Sequence, residues 1–218
     1  MILCTYVSPR KFTSLISSTI IEDLKRTAGS SSLMIYFYFD FKDAAKRDVR
    51  GLLSSLLIQL SDKCDICWSI LSDLHTEHQD GSDQPSEAAL VQCLTDMLQS
   101  VAYTPFYIII DALDECPNTT GTPSPREKVL NFVKDLVGGQ YPNLYLCVTS
   151  RPEQDIRTIL DPLTPTFRRV SLHEEGGQRE DINTYIRSFV NMDRAMRRWR
   201  AEEKQLVIST LSERADGM

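Results

Sequence analysis

An apolar run that ends in acids, FYIIIDALDE at residues 106–115, constrains the fold of this chain more than any other stretch. Its β-branched and aromatic residues predict a buried central strand, which stops at the carboxylate of Asp111. In parallel sheets, the carboxyl ends of the strands open onto the ligand crevice. Asp111, backed by Asp114 and Glu115, is therefore a candidate site for a magnesium ion and a polarised water. The alternative interpretation is a strand followed by a solvated acidic turn.

Apolar stretches of strand length alternate with amphipathic helical patterns along the chain. Besides residues 106–111, strands are predicted at residues 33–39, 144–150 and, as a short one, 167–172. Apolar residues at helical spacing predict helices over residues 12–25, 43–60, 66–75, 86–101, 126–137, 180–190 and 201–213. The alternation predicts the α/β class, with a parallel sheet, helices on both of its faces and right-handed crossovers.

Composition excludes several classes of function. Of the 218 residues, 42% are hydrophobic and 25% are charged, as in a globular protein, and the formal net charge is −6. Neutralising phosphates requires a basic face, so we expect no general affinity for nucleic acid or for anionic membranes. The N-terminal residues lack the features of a signal peptide, and no apolar run approaches the length of a membrane span. These observations predict a cytoplasmic protein with no membrane anchor.

Two cysteines and two histidines follow one another in an order that suggests a zinc site. Cys64 and Cys67 are separated by two residues, and so are His75 and His78. The gap between the pairs is shorter than zinc sites use, and the residues around Cys67 have the pattern of a helix core. We therefore expect packing cysteines, reduced like the other cysteines of the chain, with surface histidines and no zinc.

Two strand ends are expected to meet at one crevice. The run YIIIDALDEC at residues 107–116 ends in acids, and CVTSRPE at residues 147–153 supplies Arg151. Magnesium at the first strand and a guanidinium at the second could together meet the charge of a transferred phosphate. With SSTIIEDL at residues 17–24 and RRWR at residues 197–200, these motifs resemble a NACHT domain, the signalling branch of the P-loop NTPases. The similarity is greatest to the fungal, nephrocystin-like N-terminal type.

The resemblance implies a P-loop NTPase-like sheet that binds ATP or GTP with magnesium and switches between closed and oligomerising states. Asp111 matches the acid that holds magnesium, and Arg151 matches the sensor of the γ-phosphate. Asp114 and Glu115 match the catalytic acids that position or activate water. Ala112 stands where the family tolerates only a small residue. Protein partners or self-oligomerisation are implied as well.

The segment before the first helix departs from the family pattern. Members carry GxxxxGK[ST] there, because glycine backbone N–H groups wrap the phosphates and the lysine reaches the β and γ oxygens. No glycine precedes Gly29 in this chain. Counting back from residues 17–24 places the lysine and hydroxyl positions at Thr13 and Ser14, so only a hydroxyl remains for the metal. The phosphate cradle is predicted to be missing, and nucleotide binding to be weak or absent.

The family motifs that are present and the P-loop that is missing together determine the predicted domain division and the candidate functions. Residues 1–175 are predicted to be an incomplete NTPase core, truncated at the N-terminal strand and P-loop. Residues 176–218 are predicted to be a helical segment that leads toward a missing C-terminal region. The first hypothesis is a NACHT-type signalling NTPase module, inactive as written. The alternative is a non-catalytic interaction module that retains the α/β scaffold, and a small-molecule kinase ranks last because it needs the same loop.

Overall fold

The strands of the chain, in a computed structural model, form one five-stranded sheet. They are β1 Ile2–Tyr6, β2 Leu33–Tyr38, β3 Phe106–Asp111, β4 Leu144–Ser150 and β5 Arg169–Ser171. Their order is β2-β3-β4-β1-β5, and the pairings β2–β3, β3–β4 and β4–β1 are parallel. The structure describes residues 2–6, 13–28, 32–78, 81–119, 121–139, 141–163, 169–171, 177–193 and 195–215.

The helices of the described residues are α1 Thr13–Thr27, α2 Val49–Ser61, α3 Asp65–Glu77, α4 Glu87–Ser100, α5 Pro125–Gly138, α6 Gln154–Leu163, α7 Gly177–Met192 and α8 Ala201–Ala215. Helix α1 packs on one face of the sheet, and α2, α4, α5 and α6 pack on the other. Because side chains alternate along a strand, Ile108 and Ile110 enter the large core with α2, α4, α5 and α6. Ile109 points to the opposite face, where it packs with Cys147 and with Ile21 of α1. The predicted α/β class, a parallel sheet with helices on both faces, is confirmed.

The chain contains the strand before α1 that the sequence analysis expected to be missing. β1 lies between β4 and β5, and its register with β4 pairs Ile2 with Leu146 and Tyr6 with Ser150. The expected truncation at the N-terminal strand is therefore wrong. A five-residue run carries little periodicity of its own, and it becomes a strand because both neighbours supply backbone partners. Residues 7–12, which correspond to most of the family's P-loop, are outside the described residues.

Two helices differ from the sequence prediction. The helix expected over residues 43–60 is divided, because Asp48 caps α2 by accepting a hydrogen bond from the Gly51 N–H at 2.8 Å. A short 3-10 turn, Ala44–Lys46, precedes that cap. Helix α6 was not predicted at all, although it buries Ile156 and Leu160. It carries a proline in its last turn, where the missing N–H and the ring disturb only the end of the helix.

The chain divides into two compact units, Met1–Val170 and Ser171–Met218. In the second unit α7 packs against α8, with Val190 and Ile208 buried. Both helices were predicted, while the expected boundary at residues 175–176 falls outside the described residues and stays a prediction. In the part of the chain that the structure describes, no helix has the length and apolar character needed to cross a membrane.

Candidate functional site

Three elements converge on the carboxylate of Asp111, the last residue of β3. Asp111 is 1% exposed, and one of its oxygens, Oδ1, accepts hydrogen bonds from Ser17 Oγ and Thr149 Oγ1, each at 2.5 Å. Ser17 comes from α1 and Thr149 from β4, and both are fully buried. Buried polar groups need such partners, so the two hydroxyls stabilise the carboxylate in the core. Partial burial, and then the charge of Asp111, raise the pKa of the neighbouring Tyr38 phenol.

The backbone turns sharply at Ala112, directly after Asp111. Ala112 has φ 53° and ψ 46°, in the left-handed region that residues with a side chain rarely adopt. Its N–H donates to Thr149 Oγ1 at 3.1 Å, which anchors the turn to β4. A β-branched residue would be strained here, which gives a physical reason for the small residue that the family resemblance implies at this position.

Asp114 is held by Arg151. Asp114 lies in the 3-10 turn Leu113–Glu115 and is 5% exposed. Its Oδ1 accepts from the Arg151 N–H at 3.0 Å, and its Oδ2 accepts from Arg151 Nε at 2.6 Å. The hydrogen bond with Asp114 raises the pKa of the Arg151 guanidinium, which also pairs with Glu153 at 3.1 Å. Arg151 was expected to face a phosphate and Asp114 to position a water, and the two residues are instead paired with each other.

Glu115 occupies a more open position than the other two acids. It is half-buried, and its Oε2 lies 3.4 Å from the Phe41 N–H, a long hydrogen bond. It borders an open cleft of about 440 Å³ at the carboxyl ends of β2 and β3. The other lining residues are Tyr38, Phe39, Asp40, Phe41, Lys42, Lys46 and Ala112. Of the three predicted acids, Glu115 is therefore the one that a molecule in this cleft could reach.

Arg126 joins the acidic turn to the segment after β4, and the sequence analysis did not identify it. The residue is 6% exposed, and its guanidinium pairs with Glu153 and with Asp155, the latter at 3.1 Å. Its Nε and Nη2 also donate to the backbone oxygens of Cys116 and Asp114, at 2.8 and 2.6 Å. An arginine in the first turn of a helix is unfavourable for the helix dipole, and that conflict is the signal that could have found it.

A hydroxyl next to Asp111 belongs to Ser17, three residues after the position counted from the family spacing. Ser14 and Thr13 lie in the first turn of α1, and their side chains are outside those that the structure describes. Ser14 therefore stays a prediction. Ser17 follows Ser14 by three residues, so that both positions lie on the same side of the helix. The sequence offers several serines in this helix, and only the fold shows that Ser17 meets Asp111.

Asp111 and Ser17 together offer oxygen donors of the kind that magnesium prefers. The carboxylate and hydroxyl are already in contact, so the residues present fit a magnesium ion with its remaining positions filled from outside the protein. Among the described residues, no group of three His, Cys, Asp or Glu side chains is placed to hold a metal by itself. Any metal at this edge of the sheet would therefore depend on further ligands.

The four residues of the zinc alternative have other surroundings. Cys67 is fully buried in the large core, while Cys64 is partly buried at its edge. His75 is exposed, and Nδ1 of His78 lies 2.9 Å from the carbonyl oxygen of Leu74. Burial, together with the Cys64 thiol, raises the pKa of Cys67 to about 12.

Cys116 makes the stability of the fold sensitive to alkaline pH. Burial raises its pKa from 9.0 to about 12, and the thiol donates to the Arg47 carbonyl oxygen at 3.2 Å. Between these two pKa values the unfolded chain releases a proton that the folded chain keeps. The free energy of unfolding should therefore fall as pH rises from about 9 to about 12, by roughly 1 kcal/mol per pH unit for this thiol. Below that window the group has no effect.

Urea unfolding of the wild type and Cys116→Ala checks this prediction. Between about pH 8 and about pH 10, the variant should lose less stability than the wild type, by roughly 1 kcal/mol. Equal losses in the two proteins would contradict it.

Comparison with known protein families identifies the segment that carries this site. A family model described as "Nephrocystin 3, N-terminal" matches residues 2–151, more than half of the chain. The chain belongs to this family. The nephrocystin 3 N-terminal segment runs from β1 to the end of β4 and includes Ser17, Asp111, Asp114, Glu115 and Arg151. Helices α6, α7 and α8 lie beyond it, and no curated protein matches the chain.

Proposed function

We infer that this chain is a NACHT-type module of the signalling P-loop NTPases whose binding of nucleotides is weak or absent. One observation carries this conclusion: Arg151, the residue expected to face the γ-phosphate, is bound to Asp114 and Glu153 of the same chain. Membership of the nephrocystin 3 N-terminal family and the parallel sheet support a common ancestry with the signalling P-loop NTPases. The pairing of Arg151 and the missing glycines favour a module that no longer uses its nucleotide.

Magnesium with a nucleotide would be held at Asp111 and a hydroxyl of α1, Ser17 in the described part of the chain or Ser14 by family spacing. The ion would neutralise phosphate charge there. A cradle for the phosphates requires glycines and a lysine that residues 1–28 do not supply at the family positions. Each lost charge-assisted hydrogen bond is worth about 1.5–3 kcal/mol, and about 1.4 kcal/mol is tenfold in affinity. Losing several of them weakens ATP or GTP binding by orders of magnitude.

Hydrolysis would also need an acid that can act on water. Asp114 already accepts two hydrogen bonds from Arg151, so it would have to exchange that partner before it could position a water. Glu115 is the more accessible of the two acids and borders the cleft. We therefore assign Glu115 the role of the water-positioning acid, if any turnover occurs, and Asp114 the role of a structural partner for Arg151.

The alternative function is a non-catalytic interaction module in the cytoplasm that binds protein partners or a second copy of itself. The pairing of Arg151 with Asp114 fits this alternative equally well, because it stabilises the turn after β3 without any ligand. In this alternative the α/β scaffold is retained for packing, and the nucleotide plays no part in the interaction.

Release of inorganic phosphate from Mg-ATP and Mg-GTP distinguishes these functions from an active enzyme. We expect no release above the buffer rate for the wild type, and the same result for Glu115→Gln. The conservative Glu115→Gln change keeps the shape of the side chain, and circular dichroism verifies that the variant is folded. Turnover in the wild type that disappears in Glu115→Gln would contradict the proposal.

A further inference from the structure

Two cysteines at the start of α3 form a pair that the proposed function does not use. Cys64 is the N-cap residue of α3, in an extended conformation, and Cys67 is the third helical residue. These are the two positions of a capping box, in which the N-cap and N3 side chains each reach toward the other residue's backbone N–H. The two residues are three positions apart, so their side chains start from the same side of the first helical turn. The Cys64 thiol is close enough to contribute to the raised pKa of Cys67.

The two thiols differ in the way that thiol–disulfide exchange requires. Cys64 is partly buried at the edge of the core and can be reached from solvent, while Cys67 is fully buried. Cys64 makes no side-chain capping bond. Burial, together with the Cys64 thiol, raises the pKa of Cys67 to about 12, which keeps that thiol protonated in the reduced protein and leaves the first attack to Cys64.

We propose that Cys64 and Cys67 form a dithiol site that undergoes reversible thiol–disulfide exchange with low-molecular-weight disulfides. A C-x-x-C pair at the start of a helix in an α/β protein is typical of this chemistry. The cysteine spacing that suggested zinc in the sequence is explained by this site as well. The site lies on α3 and does not depend on the nucleotide chemistry of Asp111.

The exchange consists of two balanced steps. The Cys64 thiolate attacks one sulfur of oxidised glutathione, the glutathione disulfide bond breaks, and one glutathione leaves as a thiolate that takes up a proton. Cys67 then loses its proton and attacks the sulfur of Cys64 in the mixed disulfide, which releases the second glutathione. Two protein thiols are oxidised to one disulfide, and one glutathione disulfide is reduced to two thiols.

Equilibration of the full chain in glutathione buffers tests the proposal. Thiols are trapped by alkylation, and the disulfide is located by peptide mass. For an intramolecular disulfide, the ratio of oxidised to reduced protein follows oxidised glutathione divided by the square of reduced glutathione. The protein should therefore pass from about one-tenth to about ten times as much oxidised as reduced form over a hundredfold change in that quotient. A stable mixed disulfide would instead follow the first power of reduced glutathione.

Matched variants and an optical signal sharpen the test. Trp68 is 62% exposed and lies one turn after Cys64, so its fluorescence should be quenched when the disulfide forms. Cys93 is a buried neighbour of Cys67 on α4. Cys93→Ala should leave the oxidation unchanged, whereas Cys64→Ser, which places a good N-cap residue at the start of α3, should abolish it. A stable glutathione adduct on Cys64, a disulfide between Cys67 and Cys93, or no oxidation of the wild type would each overturn the proposal.

Discussion

Replacing Arg126 with Met should lower the free energy of unfolding by about 3 kcal/mol, because the change removes the common partner of several buried groups. The backbone oxygens of Asp114 and Cys116 would lose their donors, and Glu153 and Asp155 would lose a cation. The two carboxylates are about one-third exposed, so water compensates part of their loss. The backbone oxygens of Asp114 and Cys116 lie next to buried residues. Their lost hydrogen bonds should therefore account for much of the decrease in the free energy of unfolding.

Urea unfolding followed by fluorescence measures this effect. A Trp199→Phe background leaves Trp68 as the tryptophan reporter, within the unit Met1–Val170. Arg157→Met is the matched control, since Arg157 pairs with Asp161 at 3.3 Å on an exposed helix surface. Such a pair is worth about 0.5 kcal/mol. Equal effects of the two substitutions would show that Arg126 does not organise the acidic turn.

Replacing Asp111 with Ala should destabilise the fold by about 2 kcal/mol. The hydroxyls of Ser17 and Thr149, both fully buried, would lose the oxygen to which they donate. Relief of the cost of burying a carboxylate offsets part of that loss. Asp111→Asn keeps an oxygen at the same place for both hydroxyls, so its cost should stay below about 1 kcal/mol.

The difference between these two variants, measured by urea unfolding, also reports on function. An Ala variant that is as stable as the wild type, or more stable, would contradict the prediction. Asp111 would then be a carboxylate kept in the core at a net cost, as expected for a metal ligand in use. Because Asp111→Ala alters stability, a functional comparison should use Asp111→Asn.

The sequence predicts the central strands β3 and β4 well, and it predicts β1 and α6 poorly. β3 and β4 are recognised because a strand covered on both faces is a nearly continuous apolar run. β1 is missed as a strand because its five residues depend on partners more than one hundred residues away in the chain. α6 is missed because prolines lie just before it and in its last turn, although its apolar residues have helical spacing.

The acidic residues of the candidate site could be predicted from the sequence, but the residues that pair with them could not. A strand that ends in Asp111, Asp114 and Glu115 is visible in the sequence, and so is Arg151 at the next strand end. The sequence cannot show that Arg151 binds Asp114, because the same charges could equally meet a phosphate. Arg126 and Ser17 act through contacts between distant elements, and many arginines and serines in the chain would have been equal candidates.

Titration of Mg-ATP into the chain by isothermal calorimetry tests the central claim most directly. A competent nucleotide site requires a phosphate cradle, and the chain has no glycine before Gly29 and an arginine already paired with Asp114. We predict no heat of binding in the micromolar range, with the same result for Mg-GTP and for Asp111→Asn. Micromolar affinity for Mg-ATP that is lost in Asp111→Asn would contradict the account.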